Sequence, residues 1–313
     1  MDLPLEPDLR FGFITGVASR QGARDVAALA MRHRYDSVWT GDHVAFPMPI
    51  LDPFQQLAQV AAHTEGVTLG TAVYLLPLRP PVLAAKQVAT IDRLCDGRFV
   101  FAVGIGGEFP AEYAAVEVPH GERGARLSAA IPIVRALVRG EPAKGDGRYY
   151  HFPETTLAPA ALQPGGPPLW CGGRADAALR RIGRLADGWM SYVVTPERYR
   201  TGLEKIARAA EACGRRFERE RFGSAHLLFA RIDADAEAAF AAANEHLSFR
   251  YAMDFSQATR RYAALGRPAD VAARIDAFRR AGVRHVVLDM VGPGDDRDEQ
   301  LARFAEEVRP LLG

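Results

Sequence analysis

At 313 residues, with 48% hydrophobic and 25% charged residues, the chain has the balance of an ordinary globular protein and enough length for a large buried core, which excludes general disorder. Its 39 lysines and arginines stand against 38 aspartates and glutamates, so the formal charge of +1 supplies no net field for nucleic acid or an anionic membrane surface and leaves small molecules as the better partners. Three separated cysteines (Cys95, Cys171, Cys213) without a C-x-x-C pair, an acidic proline-broken start and no run of about 20 apolar residues argue for a reducing cytoplasm and against export or a membrane span.

Residues 11–15 read as a short buried strand, and residues 21–34 follow with Val26, Ala27, Leu29, Ala30 and Met31 at helical spacing. The same strand-then-helix pattern recurs as 37–40 with 54–63, 67–74 with 81–94, and 99–103 with 122–139. It continues as 168–171 with 175–185, 188–193 with 196–213, and 222–232 with 234–247. An additional helix at 268–281 precedes an eighth strand at 283–290, and a terminal helix lies near 300–311. Pro53, Pro81, Pro196 and Pro268 stand near helix starts, where a missing N–H is harmless, and Gly140 and Gly214 stand just past helix ends.

Strands that alternate with helices pair in parallel, and eight such units close into a (β/α)8 TIM barrel without exposed edges. An open doubly wound sheet is the alternative. Residues 1–313 are expected to form a single domain, broken between helix 4 and strand 5 by an insertion at about 141–167 that is rich in glycine, proline and tyrosine. A stretch of that length reads as a lid, a small hairpin or an ordered surface wrap.

In a closed barrel the active site lies at the carboxyl ends of the strands. After the second strand stand Asp42 and His43, a carboxylate and an imidazole suited to proton transfer near neutral pH. After the third, Thr71, Ala72 and Val73 lead into apolar residues that either line a flat aromatic ligand or belong to plain core. After the fourth, Gly104, Gly106 and Gly107 allow close backbone approach, although Phe109 stands where a dinucleotide fingerprint needs glycine. After the fifth, Gly172, Gly173, Arg174 and Ala175 run straight into a helix, which makes a phosphate cradle, unless Arg174 simply pairs with Asp176 or Asp187. The remaining histidines are scattered, and no triad, Walker loop or metal-spaced cluster occurs, so no metal site is expected.

Taken in order, these segments resemble the luciferase-like monooxygenase family over nearly the whole chain, from Phe11 to about Leu311. Trp39-Thr40-Gly41-Asp42-His43 resembles the W-x-[GS]-D-H strand end, and Leu69-Gly70-Thr71 with Leu76-Pro77-Leu78-Arg79-Pro80-Pro81 resembles the L-G-T segment and L-P-x-R-x-P turn. Asp92-Arg93-Leu94-Cys95-Asp96-Gly97-Arg98 followed by Val103-Gly104-Ile105-Gly106 is similar to D-x-L-S-x-G-R and V-G-x-G. Pro167-Pro168-Leu169-Trp170-Cys171-Gly172-Gly173-Arg174 and Ala186-Asp187-Gly188-Trp189 resemble the remaining pair of motifs.

The resemblance implies a barrel that binds coenzyme F420 or, alternatively, reduced FMN, with Asp42-His43 similar to the deazaflavin-using branch. It implies hydride transfer to or from a small organic substrate, with His43 beside the reactive ring, Asp42 at the cofactor, and Ala72-Val73 as a non-prolyl cis peptide behind the ring. Glu108 is the partner acid by this reading. Gly107, however, stands where relatives commonly carry tryptophan, and the altered spacing leaves Glu112 as the alternative. Thr71, Ala72, Val73, Gly104, Gly106, Gly107, Gly172, Gly173, Arg174 and Ala175 would hold the cofactor. The family also implies a homodimer, and an oxygen-using FMN enzyme would need a separate flavin reductase. A non-catalytic flavin-binding paralogue is the rival from another class.

Overall fold

The computed structural model describes residues 8–107 and 109–313. Eleven strands follow in chain order: β1 (Arg10–Ile14), β2 (Ser37–Thr40), β3 (Thr68–Thr71), β4 (Phe99–Val103), β5 (Ala143–Asp146), β6 (His151–Thr155), β7 (Leu169–Gly172), β8 (Gly188–Tyr192), β9 (Gly223–Ile232), β10 (Ala264–Gly266) and β11 (His285–Met290). Pairing runs β9–β11–β1–β2–β3–β4–β7–β8, and β8 pairs back onto β9, all in parallel. This closure makes a (β/α)8 barrel and excludes an open sheet.

The helices start where local chemistry permits. Ser19, Asp52, Thr195 and Asp235 each accept a bond from a first-turn N–H, and Pro53, Pro81, Pro196 and Pro268 occupy the first helical turn. Gly282, at φ 112°, ends the helix Pro268–Ala281 in the left-handed conformation that a side chain disfavours.

Two indoles fill the barrel interior. Trp39 and Trp170 stack with ring centroids 5.4 Å apart, and their neighbours on the inner wall are glycines. A Cβ on Gly70 would lie 2.2 Å from the Trp39 ring, and one on Gly223 would lie 2.4 Å from Trp170. With Val100, Ala102, Met190, Ala225 and Val287 they form a packed plug below the strand tips. Half-buried Ile14, Ala72, Val73 and Leu227 lie against this plug.

Several boundaries differ from the sequence expectation. The third strand stops at Thr71, where a cis Ala72–Val73 peptide follows, and pairing resumes only as an isolated bridge from Tyr74 to Val103. The helix Ala236–Tyr251 runs past Leu247, and the helix Ser256–Tyr262 with the short strand β10 was not foreseen. The insertion is an antiparallel β5–β6 hairpin and a return segment. Tyr150 bonds to the carbonyl of Arg126 on the helix Arg123–Val138, while buried Asp92 accepts from the backbone N–H groups of Leu162 and Gln163 and from the Gln163 side chain. Of the readings left open for it, a hairpin wrapped on a helix flank is the one observed. Among the described residues, no helix is long and apolar enough to cross a membrane.

Candidate active site

The tips of β2, β3, β4 and β7 bring the residues singled out by sequence to one mouth. His43 follows β2 directly, and its Nδ1 lies 3.0 Å from Oε2 of Glu112 on the short helix Pro110–Ala115. Glu112 is 1% exposed, and its other oxygen accepts from the backbone N–H groups of Val44 at 2.7 Å and Ala45 at 3.1 Å. A carboxylate so held makes Nδ1 the protonated ring nitrogen, which leaves Nε2 as the atom that can exchange a proton. Glu108, the first choice of partner acid, lies outside the described residues, and Glu112, the alternative, is the acid at the imidazole.

Phe46 stacks on the His43 ring at 4.0 Å and 14°, and Phe109 meets both rings edge-on. Sequence reading gave Phe46 no part in the site. Its spacing from His43 carries no periodic signal, because residues 41–52 lie between β2 and the next helix in an irregular stretch.

Asp42 plays a different part from its neighbour. Its side chain is buried and forms a forked pair with Arg79, Oδ2 to Nη1 at 2.5 Å and Oδ1 to Nη2 at 2.8 Å, while Oδ2 also accepts from the Leu75 N–H at 2.8 Å. Burial pushes the Asp42 carboxyl up from its ordinary value, and the forked pairing with Arg79 opposes that. The pair joins the β2 tip to the turn after β3, and so places the Ala72–Val73 segment relative to His43. Thr71 likewise turns its hydroxyl into the sheet, donating to the Ala102 carbonyl at 2.7 Å and accepting from the Ala102 N–H. Two residues expected at the cofactor thus have side chains engaged with protein.

The Ala72–Val73 peptide is cis, as the resemblance implied. Val73 projects between two glycines of neighbouring strands: a Cβ on Gly104 would come within 2.3 Å of Val73 Cγ2, and one on Gly172 within 3.3 Å of Val73 Cγ1. Gly104 and Gly172 therefore make room for a raised apolar platform. Gly106 and Gly107 turn at φ 54° and 119°, half-buried, beside Leu75 and Arg123 respectively.

On the far side of the platform, Gly172 and Gly173 are half-buried and Arg174 and Ala175 are exposed, immediately ahead of the helix Asp176–Leu185. Gly173, at φ 123°, points its carbonyl to the Trp189 indole N–H at 2.7 Å. The simple pairing considered for Arg174 is not what the structure holds: Asp176 bonds Lys205 at 2.7 Å, Asp187 bonds Arg135 at 2.7 Å, and Arg174 lies over the Tyr192 ring at 5.0 Å. Among the described residues the Arg174 guanidinium has no carboxylate partner, and the helix that follows it has no side-chain cap at its N-terminus.

One further group belongs to the mouth. Asp289 shares the inward face of β11 with Val287, two residues below, and pairs with Arg250, which also reaches His246 Nε2 at 2.8 Å. Sequence reading set His246 among the scattered histidines. The two-residue alternation of β11 could have flagged Asp289, since it puts a carboxylate inward at a strand tip.

The luciferase-like monooxygenase model matches residues 12–309. An uncharacterized protein of Mycobacterium tuberculosis is 36% identical over 167 residues, 53% of this chain and 57% of the relative, so this match spans little more than half the relative's length. An F420-dependent glucose-6-phosphate dehydrogenase of Nakamurella multipartita is 29% identical over 340 residues, covering 98% of this chain and 97% of the relative. The oxygenase component of a flavin-dependent trigonelline monooxygenase of Acinetobacter baylyi is 31% identical over 152 residues, 48% of this chain and 42% of the relative. Among solved structures, an F420-dependent secondary alcohol dehydrogenase superposes with a TM-score of 0.85 at 18% identity (98% of this chain, 99% of that one), and a monooxygenase from Streptomyces bottropensis with 0.81 at 24% (97% and 100%). These two show the shared fold. With a match that takes in nearly the whole barrel and the strand tips assembled as described, the chain belongs to the luciferase-like monooxygenase family and is an oxidoreductase enzyme.

Proposed function

We propose that this protein transfers a hydride between coenzyme F420 and a small organic substrate, with His43 and Glu112 handling the accompanying proton. The observation that carries this reading is the pairing of His43 Nδ1 with buried Glu112 at 3.0 Å on the strand tip neighbouring the cis Ala72–Val73 platform. The residues present fit a flat, phosphorylated ring compound. Gly104 and Gly172 leave the apolar Val73 face clear of Cβ atoms, and Gly106 and Gly107 offer backbone at half-buried positions. The Gly172–Ala175 turn and Arg174 offer amides and a cation to a phosphate.

A deazaflavin bound there supplies the hydride chemistry. The chain's own part is narrower. Val73, Gly104 and Gly172 set the plane of the ring, and Arg79 and Asp42 keep that wall in register with His43. Glu112 holds the imidazole in one tautomer, so that Nε2 can give a proton to the substrate oxygen or take one from it. Phe46 and Phe109 shield the imidazole from bulk water.

Anaerobic titration with reduced F420 and, separately, reduced FMN tests the choice of cofactor. Saturable binding of F420 with no oxygen uptake on later aeration is expected. Selective binding of reduced FMN with oxygen consumption would replace this reading by that of a flavin monooxygenase with a separate reductase, which the Acinetobacter relative would favour. Tight binding without turnover of any electron acceptor would mark a non-catalytic paralogue. We also read the chain as one barrel domain that works as a cytoplasmic homodimer, and light scattering at twice 34.1 kDa is the expected result.

A further inference from the structure

We propose that the opposite, N-terminal pole of the barrel carries a second ligand site, for a small organic anion that joins an oxyanion group to an apolar body. A recess of about 360 Å³ opens there, the size of a small-molecule pocket. Four guanidiniums line it: Arg279 and Arg280 from the end of the helix Pro268–Ala281, Arg284 just before β11, and Arg309 from the C-terminal turn. Leu9, Phe11 and Leu312 give it an apolar wall.

Among the described residues the charges there are only partly balanced from within, with Asp8 and Gly313 also on the rim. Asp276 is shared by Arg279, at 2.6 Å, and Arg280. Both arginines also sit at a helix C-terminus, where the helix dipole favours cations without any ligand. That account does not reach the other two. Arg284 donates only to the carbonyls of Arg279 and Val283, and Arg309 only to those of His33 and Arg34. Among the described residues, neither has a carboxylate partner, although Asp8 borders the same recess. Arg309 is further fixed over the rings of Phe11 and Tyr35, and its buried Nε and Nη2 have no hydrogen-bond partner. Those two atoms are sealed from solvent and out of a ligand's reach, so the oxyanion falls to half-buried Arg284 and exposed Arg280, whose guanidinium forks match it. In a chain of net charge +1, this concentration of cations is local rather than a share of a general excess.

The apolar wall sets the second half of the ligand. Inorganic phosphate would engage the guanidiniums and leave half-buried Leu9 at the rim uncovered, whereas an aryl phosphate or aryl carboxylate packs on Leu9 as well. The Trp39–Trp170 plug separates this recess from the mouth that holds His43, so the two sites share no residue.

Isothermal titration of the full chain with phenyl phosphate, in low salt because surface guanidiniums are screened, tests the proposal directly. Saturable binding is expected, tighter than that of inorganic phosphate, with benzoate showing whether one negative charge suffices. Arg284→Gln should weaken phenyl phosphate at least about tenfold while Arg284→Lys retains part of the affinity. Arg280→Gln serves as a second variant should the first fold poorly. At a hundredfold excess over the wild-type Kd the melting temperature should rise by about 4 °C in the wild type and by about half of that in Arg284→Gln. Absence of saturable heat, unchanged affinity in both glutamine variants, or displacement of phenyl phosphate by F420 would each overturn the second site. F420 binding itself is indifferent to these outcomes, so failure here leaves the proposed function standing, and failure of the F420 titration leaves this site standing.

Discussion

The two sides of the catalytic mouth are built on opposite terms. On the β2–β4 side almost every polar side chain is engaged by protein: Asp42 by Arg79 and Leu75, Thr71 by Ala102, Glu112 by His43, Val44 and Ala45. On the β7 side Gly172 and Gly173 are half-buried, Arg174 and Ala175 are exposed, and among the described residues Arg174 has no carboxylate partner. A group that must move a proton needs a fixed tautomer and fixed distance, which internal hydrogen bonds supply. An anchor for phosphate needs donors with nothing yet bound to them. On the function proposed above, the contrast means that chemistry is preorganised at one wall while binding is completed by the ligand at the other.

Breaking the preorganised wall should have the largest effect. His43→Ala is expected to lower turnover by about 10²–10⁴-fold while F420 affinity, read by fluorescence titration, stays within a few-fold of wild type. Equal loss of both would deny the division between the two sides. Asp42→Ala leaves half-buried Arg79 with only Asp52, at 3.9 Å, and should cost about 2–3 kcal/mol in a urea melt, more than a surface carboxylate would. A milder result would mean that Arg79 reaches water in solution.

Smaller changes sharpen the comparison. Gly104→Ala puts a methyl within 2.3 Å of Val73 Cγ2, so a cost of about 1–3 kcal/mol in stability with weakened F420 binding is expected. On the open wall, Arg174→Gln should weaken F420 by about tenfold and leave the urea midpoint in place. Loss of stability there would show that Arg174 is structural after all.

A last test sets the half-buried His43 against a histidine sealed away from the mouth. His226 is 1% exposed, and burial, with Arg274 adding to it, lowers its pKa to about 3. The unfolded chain takes up that proton below about pH 6.5 while the folded chain does not, so folding stability falls as pH drops from about 6.5 towards 3. The slope from this one residue is about 1 kcal/mol per pH unit. His226→Gln, read by denaturant melts at pH 7 and pH 5, should flatten that part of the profile.

Much of the barrel was legible in the sequence because each unit carries its own signal. The strand of residues 99–103 is an unbroken apolar run, and the helix that begins at Pro81 has a proline start and a 3.6-residue period. The helix Ser256–Tyr262 escaped because Arg260 and Arg261 mask its periodicity, and its contact through Phe255 with Phe229 is non-local. At the site, Asp42 and His43 could be placed at a strand tip, yet two adjacent residues of a loop give no hint of which one faces a ligand. Only packing decided that Asp42 turns to Arg79 and His43 to Glu112, 69 positions away.

What the amino-acid sequence determined by itself is therefore what short-range rules control: element type, element order and the parallel pairing they imply, while the choice of a closed barrel over an open sheet rested on the β8–β9 pairing. Tertiary structure alone decided the partner acid of His43, the stacking of Phe46, and the gathering of four arginines at the far pole. Each of these joins segments distant along the chain, and their pairing depends on the three-dimensional distances and burial that closing the barrel creates.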